Sequence, residues 1–256
     1  MISASNGFLV AAFIFLSSHL NAFVLLSKKK AGLPASPLAP EITFVWDGKA
    51  PDLSKKDSFD KGQYANATNE QLMEILLRQA MARWSGVHGS YLKLKLDTTR
   101  ASLATVNKDD KINSIVTESS SNLSQAAAAS PYIPDGSNYI EDCDISISAN
   151  SVSADSMYYT ITHELGHCVG LGHPHNNYGA IMGYSRNQDK ASFLGADDKA
   201  GTIYLYPDPA VYSGDVKETY GCGMVEKAKK GSHWPLILLL FSPVLFLVRR
   251  WNHIAN

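Results

Sequence analysis

The chain has 256 residues, 45% of them hydrophobic and 18% charged, with a formal net charge of −1. That is room for one catalytic-size domain with appendages, and the near-neutral balance excludes a general attraction to nucleic acid or acidic surfaces. The cysteine count of 3 allows at most one intrachain pair with one left over. Gly7 to Leu26 carries no charged residue, and Leu20-Asn21-Ala22 suits a signal-peptidase cut. Residues 1–22 are therefore expected to be a secretory signal. Lys28-Lys29-Lys30 lie after the apolar stretch rather than before it, which would instead suit an uncleaved N-terminal anchor. Residues 23–40 read as a short linker.

The main folded domain is expected over residues 41–210. Ile42, Phe44 and Trp46 alternate with Thr43, Val45 and Asp47, a strand with one strongly buried face. Leu72, Ile75, Leu76, Gln79, Ala80 and Trp84 follow helical spacing. Leu92, Leu94 and Leu96 interleave with Lys93, Lys95 and Asp97, a half-exposed strand. Thr117 to Gln125, followed by four alanines, reads as a pliable loop. Ile145 and Ile147 point one way along a strand, Asp144 and Ser146 the other. A helix is expected to start between Ser153 and Ser156, either of which could cap it.

That helix carries His163-Glu164-Leu165-Gly166-His167-Cys168-Val169-Gly170-Leu171-Gly172-His173. His163 and His167, four residues apart, project from one helix face and can grip one ion. Glu164 sits where it can take a proton from a metal-bound water. Gly170 tolerates the left-handed backbone that ends a helix, and Gly172 allows close approach, so His173 can return as a third ligand. Three protein ligands leave a fourth position open, which is the catalytic rather than the structural pattern. Cys143 shares a strand face with Ile145 and Ile147, and Cys168 a helix face with Ile161 and Leu165. Both should enter one layer between sheet and helix. A Cys143–Cys168 disulfide is expected in an exported domain, with two buried thiols as the alternative.

These residues resemble the metzincin zinc proteases, whose pattern is H-E-x-x-H-x-x-G-x-x-H followed by a methionine turn. Ala180-Ile181-Met182-Gly183-Tyr184 is similar to that turn, and the resemblance implies that Met182 forms an apolar floor beneath the histidines. Phe193 to Tyr206 is similar to the closing helix of the matrixin branch, and Ala80 to Val87 to the end of its first helix. Asp197 and Asp198 would then brace the methionine turn or cap the helix. Tyr184 is closer to astacins and serralysins, where such a tyrosine can ligate zinc and then stabilise the oxyanion. The histidine- and aspartate-rich loop that holds matrixins' further ions is missing here, so one catalytic Zn2+ is expected and Ca2+ is doubtful.

The resemblance implies an α+β fold: a twisted mixed β-sheet packed with about three helices, and a zinc cleft under the edge strand. A peptide or protein substrate would bind as an extended strand along that edge. The expected activity is a zinc-dependent endopeptidase acting on extracytoplasmic proteins. The alternatives are a processing protease for one surface protein, or a zinc-bound adhesin without turnover. Residues 211–233 are polar and read as a linker containing Cys222. Within 234–251, the apolar run from Pro235 to Val248 spans roughly 21 Å as a helix, short of the roughly 30 Å hydrocarbon core. Trp234 and Trp251 bracket it and Arg249-Arg250 close it, like a C-terminal membrane or sorting segment. The protein is therefore expected to be exported and membrane-associated.

Overall fold

The computed structural model describes residues 23–27, 30–119, 123, 125–174, 179–183 and 193–212. The expected signal, nearly all of the 211–233 linker and the apolar tail lie outside these residues. Among the described residues no helix is long and apolar enough to cross a membrane.

The fold is α+β. Nine strands occur among the described residues: β1 (Val24–Leu25), β2 (Glu41–Trp46), β3 (Leu53–Ser54), β4 (Lys93–Asp97), β5 (Ser114–Glu118), β6 (Ala127–Tyr132), β7 (Asp142–Ser148), β8 (Val152–Ser153) and β9 (Leu171–Gly172). Three α-helices accompany them: α1 (Asn69–Ser85), α2 (Ala154–Val169) and α3 (Ala196–Leu205). The main sheet is twisted and mixed, in the order β4-β2-β5-β7-β6. β4, β2, β5 and β7 pair in parallel, and β6 pairs antiparallel to β7 at the edge.

Parallel neighbours need a crossover, and α1 supplies the one between β2 and β4. Thr68 caps α1 by accepting from Gln71 N at 3.2 Å, while Gln71 Oε1 accepts from Thr68 N at 2.9 Å. Its apolar stripe, Leu72, Met73, Leu76, Leu77, Ala80, Met81 and Trp84, is buried against β4 and α2. α2 lies against β6 and carries the histidine motif.

Three regions differ from their sequence pattern. The alanines read as a loop form β6, because pairing with β7 outweighs the low strand propensity of alanine. In β7 the polar positions Asp142, Asp144, Ser146 and Ser148 are as buried as Cys143, Ile145 and Ile147, since the strand is internal and covered on both faces. The 23–40 segment, read as a linker, packs onto the domain: β1 pairs with β9, and Ala31, Leu33 and Ala35 are buried. Leu33 N donates to the Tyr206 hydroxyl at 2.7 Å, which donates in turn to Val169 O at 2.7 Å.

Candidate active site

Ser153 caps α2, accepting from Ser156 N at 3.3 Å. The helix ends at Gly170, whose φ of 109° belongs to the left-handed region that favours glycine. A Cβ there would also collide with Ala31 O. The chain reverses through β9 and brings His173 back to the helix.

His163, His167 and His173 converge, with His163 Nε2 2.9 Å and His167 Nε2 3.1 Å from His173 Nε2. Nitrogens bound to one tetrahedral zinc at about 2.05 Å lie about 3.3 Å apart, so the spacing fits a single ion. The outer ring nitrogens fix the tautomers. His163 Nδ1 faces Ile181 O at 2.7 Å and His167 Nδ1 faces Leu171 O at 2.9 Å. A carbonyl can only accept, so each Nδ1 carries the proton and each Nε2 turns a lone pair inward. Burial pushes the His163 imidazole below its ordinary pKa, and burial together with His163 pushes His167 down to about 4. Two neutral imidazoles that turn lone pairs toward the His173 Nε2 suit a divalent cation, and His163, His167 and His173 are the residues that would hold it.

Glu164 is 8% exposed, and its Oε2 accepts from Ala129 N of β6 at 2.8 Å. Burial pushes its carboxyl up to about 7, opposed by that N–H. The carboxylate therefore stands between the triad and the sheet edge, in a cleft of about 240 Å³ lined by Gln125, Ala127, Tyr159, Thr160, His163 and Glu164 among others. A larger cleft of about 500 Å³, lined by Asp60, Gln79, Arg83 and Tyr158 among others, contains none of the motif residues.

Met182 is 1% exposed and lies beneath the motif. A Cβ at Gly166 would collide with Met182 Sδ and reach within 2.8 Å of Trp84 Cζ2, so the glycine between the two helical histidines is where the methionine packs. Asp198 holds this turn. Its Oδ2 accepts from Ile181 N and Gly195 N, both at 2.7 Å, and its Oδ1 from Met182 N at 3.3 Å. One carboxylate thus anchors the methionine turn and caps α3. Trp84 Nε1 donates to Thr162 O at 2.9 Å, fixing α1 to the ligand helix.

Cys143 and Cys168 are joined by a disulfide between β7 and α2. Tyr184 and Cys222 lie outside the described residues. The motif alone does not disclose Gly166, the Ala129 N–H or Tyr159, whose ring stacks on His163 and whose hydroxyl donates to Ile181 O at 3.2 Å. Ile161, Leu165 and Cys168 turn to the core while His163 and His167 turn away, and that helical period is the signal that places Tyr159 beside the metal face.

Comparison with known proteins gives a family. None of the curated proteins matches the sequence. Among solved structures, the GM1-bound form of the ECX AB5 holotoxin is 13% identical, with a TM-score of 0.42 over 73% of this chain and 89% of that one. A chaperone–substrate complex is 14% identical, with a TM-score of 0.34 over 67% of this chain and 35% of that one. The family described as dual-action HEIGH metallo-peptidase matches residues 65–211, more than half of the chain, and its five-letter name differs from residues 163–167 only at Leu165. The chain belongs to the dual-action HEIGH metallopeptidase family.

Proposed function

We propose that this metallopeptidase is a zinc-dependent endopeptidase of metzincin type that cleaves extracytoplasmic proteins. The observation that carries the reading is the convergence of three Nε2 atoms beside a buried carboxylate at a sheet edge. Zinc, when bound, would polarise the scissile carbonyl and make the attacking water more acidic. Glu164 is ionised more readily beside a cation than without one, takes the proton of the attacking water and delivers it to the leaving amine. β6 aligns an extended peptide across the triad. Tyr184, two residues beyond Met182, is assigned to the developing oxyanion. The Cys143–Cys168 bond supports an oxidising compartment, and the C-terminal apolar segment is assigned to membrane attachment.

Glu164→Gln is the decisive variant. It should keep one zinc per chain and lose at least about 100-fold in kcat on a quenched peptide. Full activity with full metal content would overturn the role of Glu164, and chelator-insensitive cleavage by the wild type would overturn the dependence on metal.

A further inference from the structure

β6 is the last strand of the main sheet, so the direction in which each of its backbone groups points decides what a substrate meets. Ser148 N donates to Ala126 O at 2.9 Å, and the register continues with Ala128 opposite Ser146, Ser130 opposite Asp144 and Tyr132 opposite Asp142. Antiparallel pairs alternate between bonded and non-bonded, so the N–H and C=O groups of 126, 128, 130 and 132 face β7. Those of Ala127, Ala129 and Pro131 face the cleft. The Ala129 N–H obeys this rule by reaching Glu164. Ala127 borders the cleft but is only 1% exposed, so its backbone is shielded, and Ala129 and Pro131 are the part-exposed outward positions of the strand.

An ordinary edge would offer a donor and an acceptor at each of those two positions. Here the Ala129 N–H is engaged by Glu164, and Pro131 has none. From Ala129 to Pro131 the edge therefore presents two carbonyls and, among the described residues, no free donor. Resting on the endopeptidase reading above, we infer that Pro131 is a specificity-determining residue that makes this edge a rail of acceptors, recognising a substrate by its backbone N–H groups alone. The peptide residue facing Pro131 contributes its N–H and leaves its carbonyl unbonded to the strand. Proline and N-methyl residues are refused at that position. The consequence is lopsided grip: each facing residue forms one strand bond where two are usual, and affinity along this half of the cleft is low. Endowing position 131 with an N–H costs the sheet nothing, because that group faces away from β7.

The test uses the zinc-loaded full chain and a quenched peptide it cleaves. A scan that N-methylates one backbone nitrogen at a time should find two sensitive positions, two residues apart on one side of the scissile bond. Each should lose about three- to tenfold in kcat/KM. Pro131→Ala should raise kcat/KM about threefold on the long peptide through KM, with kcat unchanged, and leave unchanged a peptide truncated before the position facing 131. A scan without that two-residue spacing overturns the inference, as does a variant that alters long and truncated peptides equally. The scan on the wild type stands whether or not the variant folds. Failure of the zinc-loaded wild type to cleave any peptide is a separate result, which overturns the endopeptidase reading and this inference with it.

Discussion

Asp198 and Asp142 each bury a carboxylate and use it to hold a loop by its backbone, but they are satisfied to different degrees. Asp198 takes three N–H donors from the methionine turn and the start of α3, and both oxygens are engaged. Asp142 takes Lys111 N at 3.0 Å on Oδ2, while its buried Oδ1 has no hydrogen-bond partner among the described residues. Its neighbours are acidic: burial, then Asp144 and Asp110, push its carboxyl up to about 7. Asp144 rises to about 6 through burial, although Asn107 N and Ser114 N donate to it at 2.8 and 3.1 Å. Burial raises the Asp198 carboxyl as well, but donors on both oxygens make it a clamp, whereas at Asp142 an unpartnered oxygen beside two further carboxylates leaves the larger opening to pH.

The largest effect should come from breaking the clamp. Asp198→Ala strands three backbone donors, each worth about 1–3 kcal/mol when buried and unpaired. A loss of at least about 3 kcal/mol is expected in urea unfolding, together with weaker zinc retention against a chelator. Wild-type stability and metal content in that variant would remove Asp198 from its assigned role.

The opposite face of the same internal strand, β7, gives the next test. Cys143 bonds α2 from the β7 face that also carries Ile145 and Ile147, with a sequence separation of 25 residues. Replacing both cysteines by alanine should cost about 3 kcal/mol. An unchanged unfolding midpoint would show that packing alone fixes the ligand helix.

The smallest effect sharpens the comparison most directly. Asp142 has a folded pKa near 7 against an ordinary 3.8, so the folded chain holds a proton that the unfolded chain releases between those values. Stability contributed by this group is therefore present on the acid side and falls as pH rises from about 4 to about 7. Asp142→Asn should flatten that slope and gain on the order of 1 kcal/mol at pH 8. Unfolding midpoints at pH 5 and pH 8 measure it, and an identical slope in the variant would assign the titration elsewhere.

The parts legible in the sequence are those where periodicity and burial agree. β4 alternates as its leucines indicate, β2 buries Ile42, Phe44 and Trp46 as read but Val45 as well because it is internal, and α2 starts at one of the two serines named for it. The histidine spacing places three imidazoles within reach of one ion because a helix turn and a left-handed glycine fix the geometry locally. What was illegible depends on partners distant in sequence. Alternating aspartates in β7 look solvated until loop 107–114 covers them with its own N–H groups. Four alanines carry no strand signal, so the edge along which a substrate would lie was hidden in a stretch that looked like a loop. The short apolar positions of 31–35 are too few to announce that they close the core.

One such distant partner bears on the ligands themselves. β1 pairs with β9, whose Leu171 carbonyl orients His167 and whose Gly172 leads directly to His173. Gly172 sits so close to Leu25 that a side chain there would press on its carbonyl. Two residues near the amino end thus steady the backbone that aims two of the three imidazoles. Loosening that short pair would therefore reach the aim of His167 and His173 without touching either ring.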